Sequence, residues 1–384
     1  MEPFALVVIF LRGGADGLAL IPPYADPALL ELRPTLASPL PDDTRVPKAR
    51  RVVDIDGRFG LHPALAPLSP MLAAGELAVV HAVGSDDDTR SHFEAQDRME
   101  RAGLTATSSA SGWLARHLST RPGAPVGPLG AIAFGSILPE SIRGHSATAL
   151  SELSEMIAST LDDETLDRLA RLYAPTVSLD RLPLEAELRA AGRDAISVSR
   201  ELSRIARGAR SEVGFPSSTL GRQLSDAALL LRHRRELGVE IVTLDHGGWD
   251  THFVQTEILQ EKAADLASSL SAFRSAMADD WSRTTVVVLT EFGRRCHENV
   301  SLGTDHGRAS VAFVAGGRLT RGGVFGAWRG LTEEALEGPG DLRVLTDYRV
   351  LLSEVVEHAL QNPRVADVLP GLDATSRLGL FARG

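Results

Sequence analysis

In the stretch Thr284–Leu289, Thr-Thr-Val-Val-Val-Leu, every side chain is β-branched or apolar, and the run then stops at Thr290 and Glu291. Such a run reads as a strand buried on both faces of a sheet, with the carboxylate delivered to its C-terminal edge. The segment after it ends in Gly303-Thr-Asp305-His306-Gly307. The same design recurs at 240–244, where an apolar run leads into Asp245-His246-Gly-Gly-Trp249-Asp250-Thr-His252. Two strand ends that present Asp and His among glycines point to one reaction centre at a sheet edge.

Further strand-like runs lie at 4–11, 77–82, 132–134 and 310–315, and segments with helical period at 92–102 and 256–278 fall between several of them. Strand and helix alternate, which predicts an α/β fold with a mostly parallel sheet wound by helices on both faces. A single domain over 1–384 is expected, large enough to bury a sizeable core with 43% hydrophobic residues. Nearly continuous helix signals over 149–238 (150–173, 184–208 and 219–237) read as a helical insertion. An equal alternative is a set of crossover helices lying on the same sheet.

The formal charge of -10, with no clustered Lys and Arg, argues against a nucleic-acid surface. The apolar run at 4–11 is too short to span a bilayer, so no membrane partner is expected. Cys296 is the only cysteine, so no internal disulfide forms; as a soft ligand or reactive thiol it is weighed against an incidental small residue, which is the favoured reading.

Several residues are candidates for chemistry. Asp16, in Arg12-Gly-Gly-Ala-Asp16-Gly17 after the first strand, is a candidate metal ligand; alternatively it bonds local backbone in a glycine turn. In Thr89-Arg90-Ser91-His92-Phe-Glu94, Ser91 is the candidate nucleophile at a helix start, Thr89 the competing hydroxyl and His92 a ligand or acid. A capping box of Ser91 with Glu94 accounts for the same residues without catalysis. Asp250 and His252, two apart in an extended segment, project to one side and can share an ion. Glu291 is a candidate ligand, Arg294 a two-point clamp on substrate oxygens, and His306 completes the set. Carboxylate and imidazole together suit zinc first, with manganese or iron as alternatives, better than calcium; one or two divalent ions are expected. His246 is the weakest candidate, and the lone His62 in Gly60-Leu-His62-Pro reads as structural.

The segments Arg12-Gly-Gly-Ala-Asp16-Gly, Gly57-Arg-Phe-Gly-Leu-His62-Pro, Arg90-Ser91-His92-Phe with Gln96, Gly248-Trp-Asp250-Thr-His252 with Gln255, Thr290-Glu291-Phe-Gly-Arg294, Gly303-Thr-Asp305-His306-Gly and Gly322-Gly-Val-Phe-Gly326 occur in this order. As a set they resemble a large bacterial family of unknown function placed beside the sulfatases in the alkaline phosphatase superfamily. The resemblance implies an alkaline-phosphatase-like three-layer α/β/α sandwich and two metal ions. It implies Asp16 as the first-strand ligand, Ser91 in the nucleophile region, Asp250 and His252 as a metal pair, and Glu291 and His306 as further ligands. Two departures stand out: Asp250 and His252 are two apart where relatives space these ligands by four, and Phe292 follows Glu291 where relatives have His. The Cys/Ser-x-Pro-x-Arg motif is absent, which argues against a formylglycine arylsulfatase.

The expected function is therefore a metal-dependent hydrolase of a phosphate or sulfate ester, using an activated serine or water, with a small anionic ester or glycan as substrate. A phosphomutase is a variant of it, and a non-catalytic metal-containing binding protein is the competitor from another class. Family members commonly carry a twin-arginine leader, which this sequence lacks, so the expected location is cytoplasmic, or periplasmic if a leader was removed.

Overall fold

The computed structural model describes residues 4–104, 111–123, 126–154, 162–174, 183–208, 213–373 and 375–382. The strands are β1 (Ala5–Leu11), β2 (Val53–Asp54), β3 (Gly60–Leu61), β4 (Leu77–Gly84), β5 (Ala131–Phe134), β6 (Thr148–Leu150), β7 (Ile241–His246), β8 (Thr284–Leu289), β9 (Ser310–Gly316), β10 (Gly323–Phe325) and β11 (Thr346–Asp347). Among the described residues, nine of these form one sheet in the order β10-β4-β9-β8-β1-β7-β5-β6, with β11 pairing the end of β4. β2 and β3 make a separate antiparallel pair.

Every residue of β1 is buried, because helices cover both faces of the sheet. Alternation along the strand divides them: Ala5, Val7, Ile9 and Leu11 enter one apolar core, and Leu6, Val8 and Phe10 the other. The first core is closed by the helices Thr219–Arg232 and Gln255–Ala276, through residues such as Leu224, Leu230, Leu266 and Phe273. The second is closed by Trp113–Thr120 and Tyr348–Glu354, through Trp113, Leu118, Leu351 and Leu352. Helix, sheet and helix thus form three layers of an α/β/α sandwich.

Strands β1, β5, β7 and β8 pair in parallel, and β9 runs antiparallel to both β8 and β4, so β4 shares their direction. This reversal matters for the site. Loops leaving β1, β4, β7 and β8 emerge at one edge, and the last of them turns back there to enter β9. His306, four residues before β9, is thereby brought to the ends of strands that precede it in the chain.

In the segment 149–238, the described residues include the helices Asp163–Leu172, Pro183–Ala206, Thr219–Arg232 and Arg234–Leu237, which join β6 to β7. The helix expected over 150–173 lies partly outside the described residues, at 155–161. Leu202, Ile205 and much of Thr219–Arg232 share the core of the sheet, as crossover helices do. Among the described residues, no helix is long and apolar enough to cross a membrane.

Candidate metal centre

Four loops meet at the C-terminal edge of the sheet, those after β1, β4 and β7 and the one joining β8 to β9, and glycine allows their approach. Gly13, after β1, has φ +119, and a Cβ there would stand 2.5 Å from the Asp250 backbone nitrogen. Gly303 lies so close to His252 that a Cβ would stand 2.3 Å from its carbonyl carbon. Buried Gln255 ties three of the loops together: its Nε2 donates to Asp16 Oδ2 (2.6 Å), while its Oε1 accepts from Thr251 (3.0 Å) and Thr304 (2.6 Å). The amide thus satisfies buried polar groups that no ladder reaches.

Around Asp250 the imidazoles converge. Nε2 of His252, His306 and His92 lies 3.0, 3.1 and 3.6 Å from Asp250 Oδ1, and the Nε2 atoms of His252 and His306 are 3.0 Å apart. Donor atoms bound to one zinc at about 2.0–2.2 Å in a tetrahedron stand roughly 3.3–3.6 Å from one another, so this spacing is close to that of a coordination sphere. Among the described residues, His92, Asp250 and His306 offer donor atoms that all lie within 4.8 Å of one another, and His252 adjoins this group through Asp250 and His306. His92 Nε2 is buried with no hydrogen-bond partner, an orphan lone pair turned towards the cluster.

The opposite ring nitrogens are held by oxygen. His92 Nδ1 donates to Glu291 Oε1 at 2.8 Å, and His306 Nδ1 to the Arg90 carbonyl at 3.0 Å. His252 Nδ1 faces Asp305 Oδ1 at 3.6 Å. An oxygen on Nδ1 fixes the tautomer with an open Nε2, the arrangement that orients histidine towards a metal. The Arg90 carbonyl reaches His306 because Arg90 adopts φ 53, a strained backbone for a non-glycine residue. Phe292 stacks its ring against His92 (4.8 Å) and His306 (4.9 Å).

Charge follows this geometry. The hydrogen bond with Glu291 raises the His92 pKa, against the effect of burial. Burial lowers that of His306, with Asp250 opposing. Burial also disfavours the charged forms of Asp250 and Glu291, but hydrogen bonds outweigh it in both. Arg294 and His306 hold Asp250 at about 2, while His92, Gln96 and the Gly13 amide keep Glu291 below the usual carboxylate range.

The sequence-based candidates divide accordingly. Asp250, His252 and His306 lie together, and His92, expected as a ligand or an acid, stands among them as a donor. Glu291 lies behind His92: it is buried, and Oε1 accepts from Gly13, His92 and Gln96 while Oε2 accepts from Thr290. Asp16 lies deeper, with Oδ2 bound by Arg33 (2.7 Å) and Gln255 while Oδ1 caps Ala19. Arg294, expected as a substrate clamp, turns inward: its buried guanidinium donates to the carbonyls of Gly13, Gly14, Trp249 and Thr304 and to Asp250. Ser91 is the N-cap of the helix His92–Glu100, yet its side chain makes no cap hydrogen bond, so the alternative of a capping box with Glu94 is not realised.

Other candidates lie elsewhere. His62 caps the turn Pro63–Leu68, and His246 pairs with Asp265 at 3.2 Å. Cys296 is buried in an apolar cluster, and burial pushes its thiol up to about 12, which leaves it inert. Sequence reasoning missed Arg33, whose position within a Pro-rich excursion gave no sign of a buried partner for Asp16. A cleft of about 660 Å³ opens beside the centre, lined by Arg12, Phe93, Gln96, Ile137 and Asp245 among others. Gln96 joins the two, since it lines the cleft and donates to Glu291.

The model of a family described as a protein of unknown function, DUF1501, matches residues 4–360. The chain belongs to the DUF1501 family. No curated protein sequence matches it. Among solved structures, this DUF1501 chain is similar to the PsFucS1 sulfatase from Pseudoalteromonas sp., at 10% identity and TM-score 0.42 over 100% of this chain and 74% of that one. It is also similar to the lipoteichoic acid synthase LtaP from Listeria monocytogenes, at 9% identity and TM-score 0.35 over 84% and 67%. A further likeness is to Ps i-CgsB, solved with k-i-k-neocarrahexaose, at 8% identity and TM-score 0.35 over 84% and 68%.

Proposed function

We propose that this chain is a metal-dependent hydrolase of a phosphate or sulfate ester. One observation carries the reading: three imidazoles, each with oxygen at Nδ1, turn Nε2 towards the same carboxylate oxygen of Asp250. Four donors gathered at a sheet edge and braced from behind suit zinc or a similar divalent ion. His92, Asp250, His252 and His306 would hold a divalent ion, which would supply Lewis acidity towards an ester oxygen.

The chain's own residues account for the rest. Ser91 precedes His92 and begins the helix His92–Glu100, whose free amide groups favour a negatively charged oxygen; it is the proposed nucleophile, with water as the alternative. Thr89, the competing hydroxyl, is exposed and bonded to Asp87. The cleft beyond Gln96 receives the organic part of the ester. Glu291 keeps His92 oriented, and Arg294 fixes the loops that carry Asp250.

The test is a screen of aryl phosphates, phosphodiesters and aryl sulfates with the zinc- and manganese-loaded protein. Asp250→Ala and His252→Ala are expected to abolish turnover while the circular dichroism spectrum stays native. Absence of turnover for every ester, or full turnover by both variants, contradicts the proposal.

A further inference from the structure

The two carboxylates that a wider, two-ion centre would draw upon are already committed. Glu291 Oε1 accepts from Gly13 N, His92 Nδ1 and Gln96 Nε2, all at 2.8 Å, and its side chain is 0% exposed. Asp16, 1% exposed, is bound by Arg33 and Gln255 through Oδ2 and by Ala19 through Oδ1. Arg33 in turn is locked by the carbonyls of Cys296 (2.9 Å) and Arg295 (2.8 Å), so the pair cannot swing apart without orphaning buried groups.

One fixed cation already stands beside Asp250. Arg294 Nη2 lies 2.6 Å from Asp250 Oδ1, fixed in place by four backbone carbonyls, so its charge already offsets that of Asp250; with Glu291 the net charge beside the imidazoles is about -1, which one dication reverses and a second would leave strongly positive. On the flank of His92 and His306 the neighbour is the Phe292 ring, which offers no donor atom.

We infer that the centre takes one divalent ion per chain, held by His92, Asp250, His252 and His306, with Asp16 and Glu291 bonding protein groups and not the ion. This rests on the reading of these four residues as a metal cradle.

The experiment is a titration of the chelator-stripped full chain with Co2+ and with Zn2+, followed by calorimetry and, for Co2+, by visible absorption. The expected end point is one ion per chain. Glu291→Gln keeps that end point and weakens affinity by about 10- to 100-fold, as loss of a carboxylate behind a ligating histidine does. Asp16→Asn keeps it too; should that variant fail to fold, Glu291→Gln carries the test alone. The His252→Ala/His306→Ala double variant loses saturable binding. An end point of two in the wild type, or fewer ions bound by Glu291→Gln, overturns the inference. One bound ion without ester turnover overturns only the hydrolase reading, two ions with turnover only this inference, and no bound ion both.

Discussion

Arg294 shows how a residue's role changes once its partners are known. Its guanidinium meets four backbone carbonyls and one carboxylate, all inside the protein. A buried acceptor left unpaired costs about 1–3 kcal/mol, so Arg294→Ala is expected to lose at least about 3 kcal/mol of stability in urea unfolding. A residue that only gripped substrate would instead raise KM and leave stability unchanged. Asp16→Asn leaves the Arg33 charge buried and uncompensated, for an expected loss of about 3–5 kcal/mol, whereas an Asp that served as a metal ligand would be relieved by its removal from the apo protein. Residue types were legible in the sequence where Asp and His stand among glycines after an apolar run, as Asp250, His252 and His306 do. Which polar atom faces which was not, because Arg33 and Asp16, or Gln96 and Glu291, meet only after the loops are packed.

At the scale of elements, the long buried strands were legible since apolar and β-branched residues fill them: the runs at 4–11 and 284–289 became Ala5–Leu11 and Thr284–Leu289. β6, β10 and β11 were missed because two or three residues carry no periodicity. The direction of β9 was equally hidden, although it brings His306 to the site. The helix Thr219–Arg232 lies in the core with Leu224, Leu229 and Leu230 buried, so Leu230→Ala should cost about 2–5 kcal/mol of global stability. An unchanged urea midpoint would mark the segment as an independent cap. Gly303→Ala should drive a methyl group into the His252 backbone, weakening both stability and ion binding, which calorimetry of the stripped variant would detect.

At the scale of the whole molecule, pH couples the fold to its buried histidines. Burial lowers His62 and His81 to about 4 and His117 to about 3. Unfolded imidazole takes up its proton near 6.5, so between about pH 6.5 and 4 the unfolded chain binds more protons and stability falls as pH falls. The urea midpoint should therefore decline steadily through that window and level off above it; a flat profile would show that these side chains are solvated. The sandwich itself sets the site by arithmetic of direction: four strands end at one edge and one begins there, so donor atoms of His92, Asp250 and His306 come within 4.8 Å of one another. The measurement that tests this most directly is X-ray diffraction from crystals grown with zinc, collected on both sides of the zinc absorption edge. The account predicts one anomalous peak bounded by Nε2 of His92, His252 and His306 and by a carboxylate oxygen of Asp250, each about 2.0–2.2 Å away. A peak on Asp16 or Glu291, or none among these four side chains, would contradict it.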